Sequence, residues 1–142
     1  MKLDSYETTF RLVRNHVLLE KDKPLSQENL LQALKTGRCY IAFDVFADAK
    51  GFSFTAENGA ETRTMGDEIA LSQGVKLRAS APLAARFVVF KNGEQIYEAK
   101  DTAQIEFPVK EAGAYRTEVY LDALDAPYAQ LPWIISNPVY VR

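Results

Sequence analysis

Glu111-Ala112-Gly113-Ala114-Tyr115-Arg116-Thr117-Glu118-Val119-Tyr120-Leu121 is the stretch that decides how this 142-residue chain folds. From Arg116 onward two kinds of residue alternate. Thr117, Val119 and Leu121 point one way, and Arg116, Glu118 and Tyr120 point the other. A period of two is that of a strand with one face on a core and one in water. The same alternation recurs upstream, in Phe52-Phe54-Ala56, in Val75-Leu77-Ala79 and in Ile105-Phe107-Val109. Phe87 to Phe90 is apolar on both faces, which predicts a central strand. Asn92-Gly93 follows it directly, the strongest short-range hairpin signal, and Ile96-Tyr97 continues the return strand. Turn signals at Gly51, Asn58-Gly59, Gly66, Gly74, Pro82, Asn92-Gly93 and Gly113 separate these segments at the spacing of a β-sandwich.

Glu111 to Tyr115 sharpens that reading. It has the acid-x-Gly-x-Tyr form of the corner before strand F of an immunoglobulin-like sandwich, where a tyrosine hydroxyl bonds back to upstream backbone. Two residues on, an antibody domain has a disulfide cysteine and this chain has Thr117. The only tryptophan, Trp133, lies near the end of the chain rather than on Phe87 to Phe90. The expected fold is therefore mainly β: an immunoglobulin-like β-sandwich over 51–142, without the antibody hallmarks. A segment over 1–50 with one α-helix precedes it.

That helix is expected at 26–36. Ser26 is placed to accept an orphan backbone N–H as N-cap, Leu30, Leu31 and Leu34 form an apolar stripe, and Gly37 ends the helix. Tyr6 to Lys21 fits helical spacing at Phe10, Val13 and Val17 and strand spacing at Leu12, Arg14, His16 and Leu18. Its apolar run Val17 to Leu19 favours an extended segment over Asn15 to Glu20.

Composition narrows the function. Seventeen basic residues against nineteen acidic give a net charge of −2, unlike the basic face of a nucleic-acid binder. No apolar stretch is long enough to span a bilayer, Met1 to Phe10 lacks a signal-peptide core, and no asparagine lies in a glycosylation sequon, so a cytoplasmic location is favoured. One cysteine excludes an intrachain disulfide and Cys-rich zinc sites, and one histidine excludes any site built from several imidazoles.

Chemistry-bearing residues are few. No phosphate-cradling glycine loop and no G-x-S-x-G elbow occurs. A Ser–His–acid triad or Cys–His pair would have to use His16, with Cys39 as the only thiol. The simpler reading makes His16 a half-buried ring satisfied by backbone and Cys39 a small buried hydrophobe. Asp44 and Asp48, followed by Glu57 and Glu61, are oxygen ligands of the kind calcium or magnesium takes, but they lack the spacing of a calcium loop and more simply cap turns. Asp122 and Asp125 form a second polar loop. Tyr97, Tyr120, Tyr128, Trp133 and Tyr140 are aromatics from which a stacking platform could be built, although a sandwich needs aromatics for its own core. No catalytic, metal-ligating or ligand-binding residue is assigned. The side chains that a bound ligand would first involve are Trp133, Tyr120, Asp44, Asp48 and His16.

Three stretches carry a resemblance. They are Gly37-Arg38-Cys39-Tyr40-Ile41-Ala42-Phe43-Asp44 with Ala47 to Phe52, then Met65-Gly66-Asp67-Glu68, then the tail Leu131-Pro132-Trp133-Ile134-Ile135-Ser136-Asn137-Pro138-Val139-Tyr140-Val141. In that order they resemble the C-terminal portion of bacterial proteins with a polymerase and histidinol phosphatase (PHP) domain, which are metal-dependent phosphoesterases. The resemblance runs from about Phe10 to Arg142. It implies a β/α-barrel catalytic domain upstream, with divalent metals held by H-x-H and D-x-H histidines. None of those motifs occurs here, so it carries over no catalytic residue and no cofactor. It further implies that residues from about Leu12 to Phe43 close that barrel domain.

The expected function is thus a non-catalytic accessory module, for scaffolding or interaction, partnered by an upstream PHP catalytic domain. One alternative is a ligand-binding module for a glycan or phosphorylated ligand. The other is a small independent hydrolase that depends on His16. If Val13, Val17, Leu19, Leu30 and Leu34 lack a barrel to pack on, they must fold back or pair with a second chain, so a homodimer through residues 1–40 is expected.

Overall fold

The computed structural model describes residues 5–142. Any part that residues 1–4 play in the expected N-terminal contacts lies outside the described residues. The described residues are mainly β, 46% strand against 14% helix. Its elements run α1 (Tyr6–Leu12), β1 (Arg14–Val17), α2 (Gln27–Lys35), β2 (Cys39–Ala42), β3 (Ser53–Glu57), β4 (Thr62–Thr64) and β5 (Glu68–Ile69), followed by β6 (Lys76–Lys91), β7 (Glu94–Pro108), β8 (Gly113–Tyr120), β9 (Ile134–Ser136) and β10 (Val139–Val141). The strands form one curled sheet in the order β1-β2-β9-β8-β6-β3-β4, with β7 beside β6 and β10 joining β8 to β5. Every pairing is antiparallel except β5 with β10.

The curl originates in β6. Its first half pairs with β3 and its second half with β8, while β7 follows it on the other side throughout. Leu77, Ala79, Ala81, Ala85, Phe87 and Val89 of this strand are buried, and Phe54, Met65, Val119, Trp133 and Ile134 close the core around them. Pro82, read from sequence as a turn signal, instead lies within β6. The β6–β7 register breaks between Ser80 and Ala85, so a residue without an N–H costs no ladder bond there. The β6–β7 turn is the expected Asn92-Gly93 pair, at φ +50° and +90°, as a two-residue hairpin turn requires. The corner also forms. Tyr115 Oη donates to the Glu111 carbonyl at 2.7 Å, and Thr117 and Val119 are wholly buried behind it.

The sheet crosses residue 50. β1 pairs with β2, and β2 pairs with β9 with Ile41 opposite Ile135, so early and late residues share one ladder. Helix α2 has its expected cap, Ser26 Oγ accepting the Asn29 N–H at 3.2 Å. Upstream, the segment expected to be extended over Asn15 to Glu20 is in strand as far as Val17, and the expectation of one α-helix is corrected to two. Residues 6–12 form α1, capped by Ser5, with Tyr6 stacked on Phe10 one turn on and Glu7 paired with Arg11. None of its residues is buried. No helix among the described residues is long and apolar enough to cross a membrane.

Candidate functional site

Strand pairing builds the one cluster that joins an imidazole to a carboxylate. β1 sets His16 opposite Tyr40 of β2, and the two rings stack at 4.7 Å, 9° from parallel. Asp44 follows β2, and its Oδ2 accepts from His16 Nε2 at 2.8 Å. The Asp44 carboxylate is only 8% exposed. Its Oδ1 accepts the Ala49 N–H at 3.2 Å, and Arg14 stands 3.8 Å from Oδ2. Tyr40 Oη donates to the Ala49 carbonyl at 2.9 Å. Burial, then the charges of Asp44 and Asp48, push the Tyr40 phenol up to about 12.

A carboxylate–imidazole pair activates a nucleophile only when the other ring nitrogen reaches a hydroxyl, thiol or water in a substrate pocket. Among the described residues His16 hydrogen-bonds Asp44 and no hydroxyl or thiol. Cys39, the sole thiol, is directed elsewhere: its Sγ accepts from Asn137 Nδ2 at 3.2 Å. Burial raises its pKa, with the Asn137 amide opposing, which keeps it a thiol. The sequence reading of His16 as satisfied by backbone is corrected in its partner, which is the Asp44 side chain.

Asp48 caps a turn, and Glu57, Glu61 and Asp122 pair with bases. Asp48 Oδ1 accepts the Lys50 N–H at 2.9 Å, Glu57 meets Arg78 at 3.2 Å and Glu61 meets Arg63 at 2.6 Å. Asp122 holds Arg86 at 3.0 Å. Among the described residues no group of three or more His, Cys, Asp or Glu is gathered as a metal would need.

The aromatic candidates do not make one platform. Trp133 is fully buried, and its indole N–H donates to the Ala47 carbonyl at 2.8 Å. It packs in the core, with no part of its ring exposed at the surface. Tyr120 lies on the outer face of β8 under the Arg86 guanidinium, 4.3 Å from ring centre. Its hydroxyl donates to Glu118, which also holds Arg116. Burial, then that bond to Glu118, raises the Tyr120 phenol to about 12. Tyr97 packs against Phe107 and Tyr128 against Phe46, while Tyr140 lies beneath Arg142.

Sequence reasoning missed a junction that the three resemblance stretches build together. Gly66 N–H donates to the Pro138 carbonyl at 2.8 Å, and Asn137 Nδ2 donates to the Gly37 carbonyl at 3.0 Å. Arg38, directly after Gly37, donates Nε and Nη2 to Asp67 Oδ1 at 3.2 and 3.0 Å and also pairs with Glu20. The end of α2, the β4–β5 turn and the β9–β10 turn are thereby fastened to one another. The signal lay in isolated turn residues, Gly37, Gly66 and Asn137-Pro138, one set in each stretch, but contacts between residues one hundred apart leave no local pattern.

Of the N-terminal apolar residues, Val17, Leu19 and Leu30 are half-buried, while Val13 and Leu34 remain exposed. No protein-family model, no curated protein and no solved structure matches the chain.

Proposed function

We propose that the chain is a non-catalytic accessory domain of a PHP-type metal-dependent phosphoesterase. The observation that carries this reading is the commitment of its only imidazole. His16 is stacked on Tyr40 and bonded to Asp44, where it fastens the edge strand β1. The Tyr115–Glu111 corner bond supports reading the curled sheet as an immunoglobulin-like sandwich. The Gly37–Asp44, Met65–Glu68 and Leu131–Val141 stretches are the basis for the PHP assignment. In it, divalent metals would polarise a phosphoryl oxygen and supply hydroxide in the catalytic domain. This chain supplies scaffolding or contact. The test is the coding region that contains the chain. It should also encode H-x-H and D-x-H motifs in the same reading frame, and a frame without them overturns the PHP assignment.

A further inference from the structure

Among the described residues, none of α1 is buried. Its support among them is local: the Ser5 cap, the Glu7–Arg11 ion pair at 2.7 Å and the stacking of Tyr6 on Phe10. Seven residues held by such contacts are far below the length at which a helix persists alone in water. Yet Tyr6 is 83% and Phe10 71% exposed, and Val13, just beyond, is 42% exposed. Two aromatic rings exposed on one side of a helix with no buried residue among those described form an apolar face of the kind that marks interaction sites.

The charges say which partner fits. Glu7 lies in the first turn and Arg11 in the last, one on each side of Thr8 and Thr9. Two such helices laid antiparallel about a two-fold axis opposite Thr8 and Thr9 set each Glu7 beside the other chain's Arg11. Tyr6 and Phe10 then cross between them. An isologous contact needs a surface complementary to itself, and this charge order satisfies that condition. We propose that α1 is a homodimerisation helix whose occupant is α1 of a second copy, packed antiparallel through Tyr6 and Phe10 with reciprocal Glu7–Arg11 pairs. The proposal is independent of the accessory-domain reading, since either can fail alone.

The experiment is sedimentation equilibrium on the full chain and on Glu7→Arg, Arg11→Glu and Phe10→Ser. These side chains are exposed, so thermal unfolding should show all variants folded. The wild-type chain is expected to dimerise. Phe10→Ser should abolish dimers, and each charge variant should weaken association about tenfold by placing like charges together. An equimolar mixture of Glu7→Arg and Arg11→Glu should restore it, because the mixed pair brings an arginine to a glutamate at both contacts. A wild-type chain that stays monomeric at millimolar concentration overturns the proposal and assigns the helix to another domain. Dimers indifferent to the charge variants, or a mixture that fails to recover, overturn it as well.

Discussion

Gly66 lies directly against Thr36, so a Cβ built on it would overlap the Thr36 carbonyl oxygen and stand 2.8 Å from the carbonyl carbon of Gly37. The obstacle is backbone, which cannot rotate aside. Gly66 also has φ +86°, a conformation that costs other residues about 1 kcal/mol or more. Gly66→Ala is therefore expected to destabilise the chain by about 3 kcal/mol or more, counting strain and the displaced junction. Urea unfolding measures it. A loss under about 0.5 kcal/mol, the range of an ordinary surface change, would contradict this account of the junction.

Trp133 gives a second expectation. As the only tryptophan, it reports its own burial by fluorescence. Its emission should be blue-shifted and resist iodide quenching until the chain unfolds. Trp133→Ala should cost about 3–5 kcal/mol, the usual range for emptying a large core position. A variant of native stability that has lost binding to a glycan would make Trp133 a ligand residue rather than a core one.

High pH tests the buried phenols. Tyr40 and Tyr120 have pKa values of about 12 in the folded chain, against about 10 for a free phenol. A pKa raised by folding contributes stability that is complete below the unfolded value and lost as pH rises through the folded one. Stability should therefore fall between about pH 10 and 12. Absorbance at 295 nm should show three of the seven tyrosines ionising late, Tyr40 and Tyr120 near pH 12 and Tyr115 delayed by its burial. Tyr40→Phe and Tyr120→Phe should each remove one of them.

Much of the β architecture was legible because its signals are local. Alternation placed Phe54, Leu77, Ile105 and Val119 on the inner face, and Asn92-Gly93 fixed a turn by its own dihedrals. Tyr115 was legible as a corner because the residue it bonds lies four positions away. Pro82 misled because a long strand with a broken register tolerates a proline that an intact ladder would reject. α1 was obscured because its apolar residues fit two periods at once. The His16–Asp44 pair was not legible, since twenty-eight residues separate them and only the β1–β2 register brings them together. For the same reason Trp133 looked available: its hydrogen-bond acceptor is eighty-six residues upstream.

The account rests most heavily on His16 acting as a fastener of β1 rather than as a base. The direct measurement is thermal unfolding of wild type and His16→Ala beside their hydrolysis of phosphomonoesters, phosphodiesters and carboxylic esters, with and without divalent metal. Removing the imidazole leaves a nearly buried Asp44 carboxylate without its closest side-chain hydrogen-bond partner, a loss worth about 1–3 kcal/mol. The predicted result is a lower melting temperature for His16→Ala and no turnover above background by either protein. Turnover by the wild-type chain that vanishes in a His16→Ala protein of unchanged stability would contradict the account and make the chain a hydrolase.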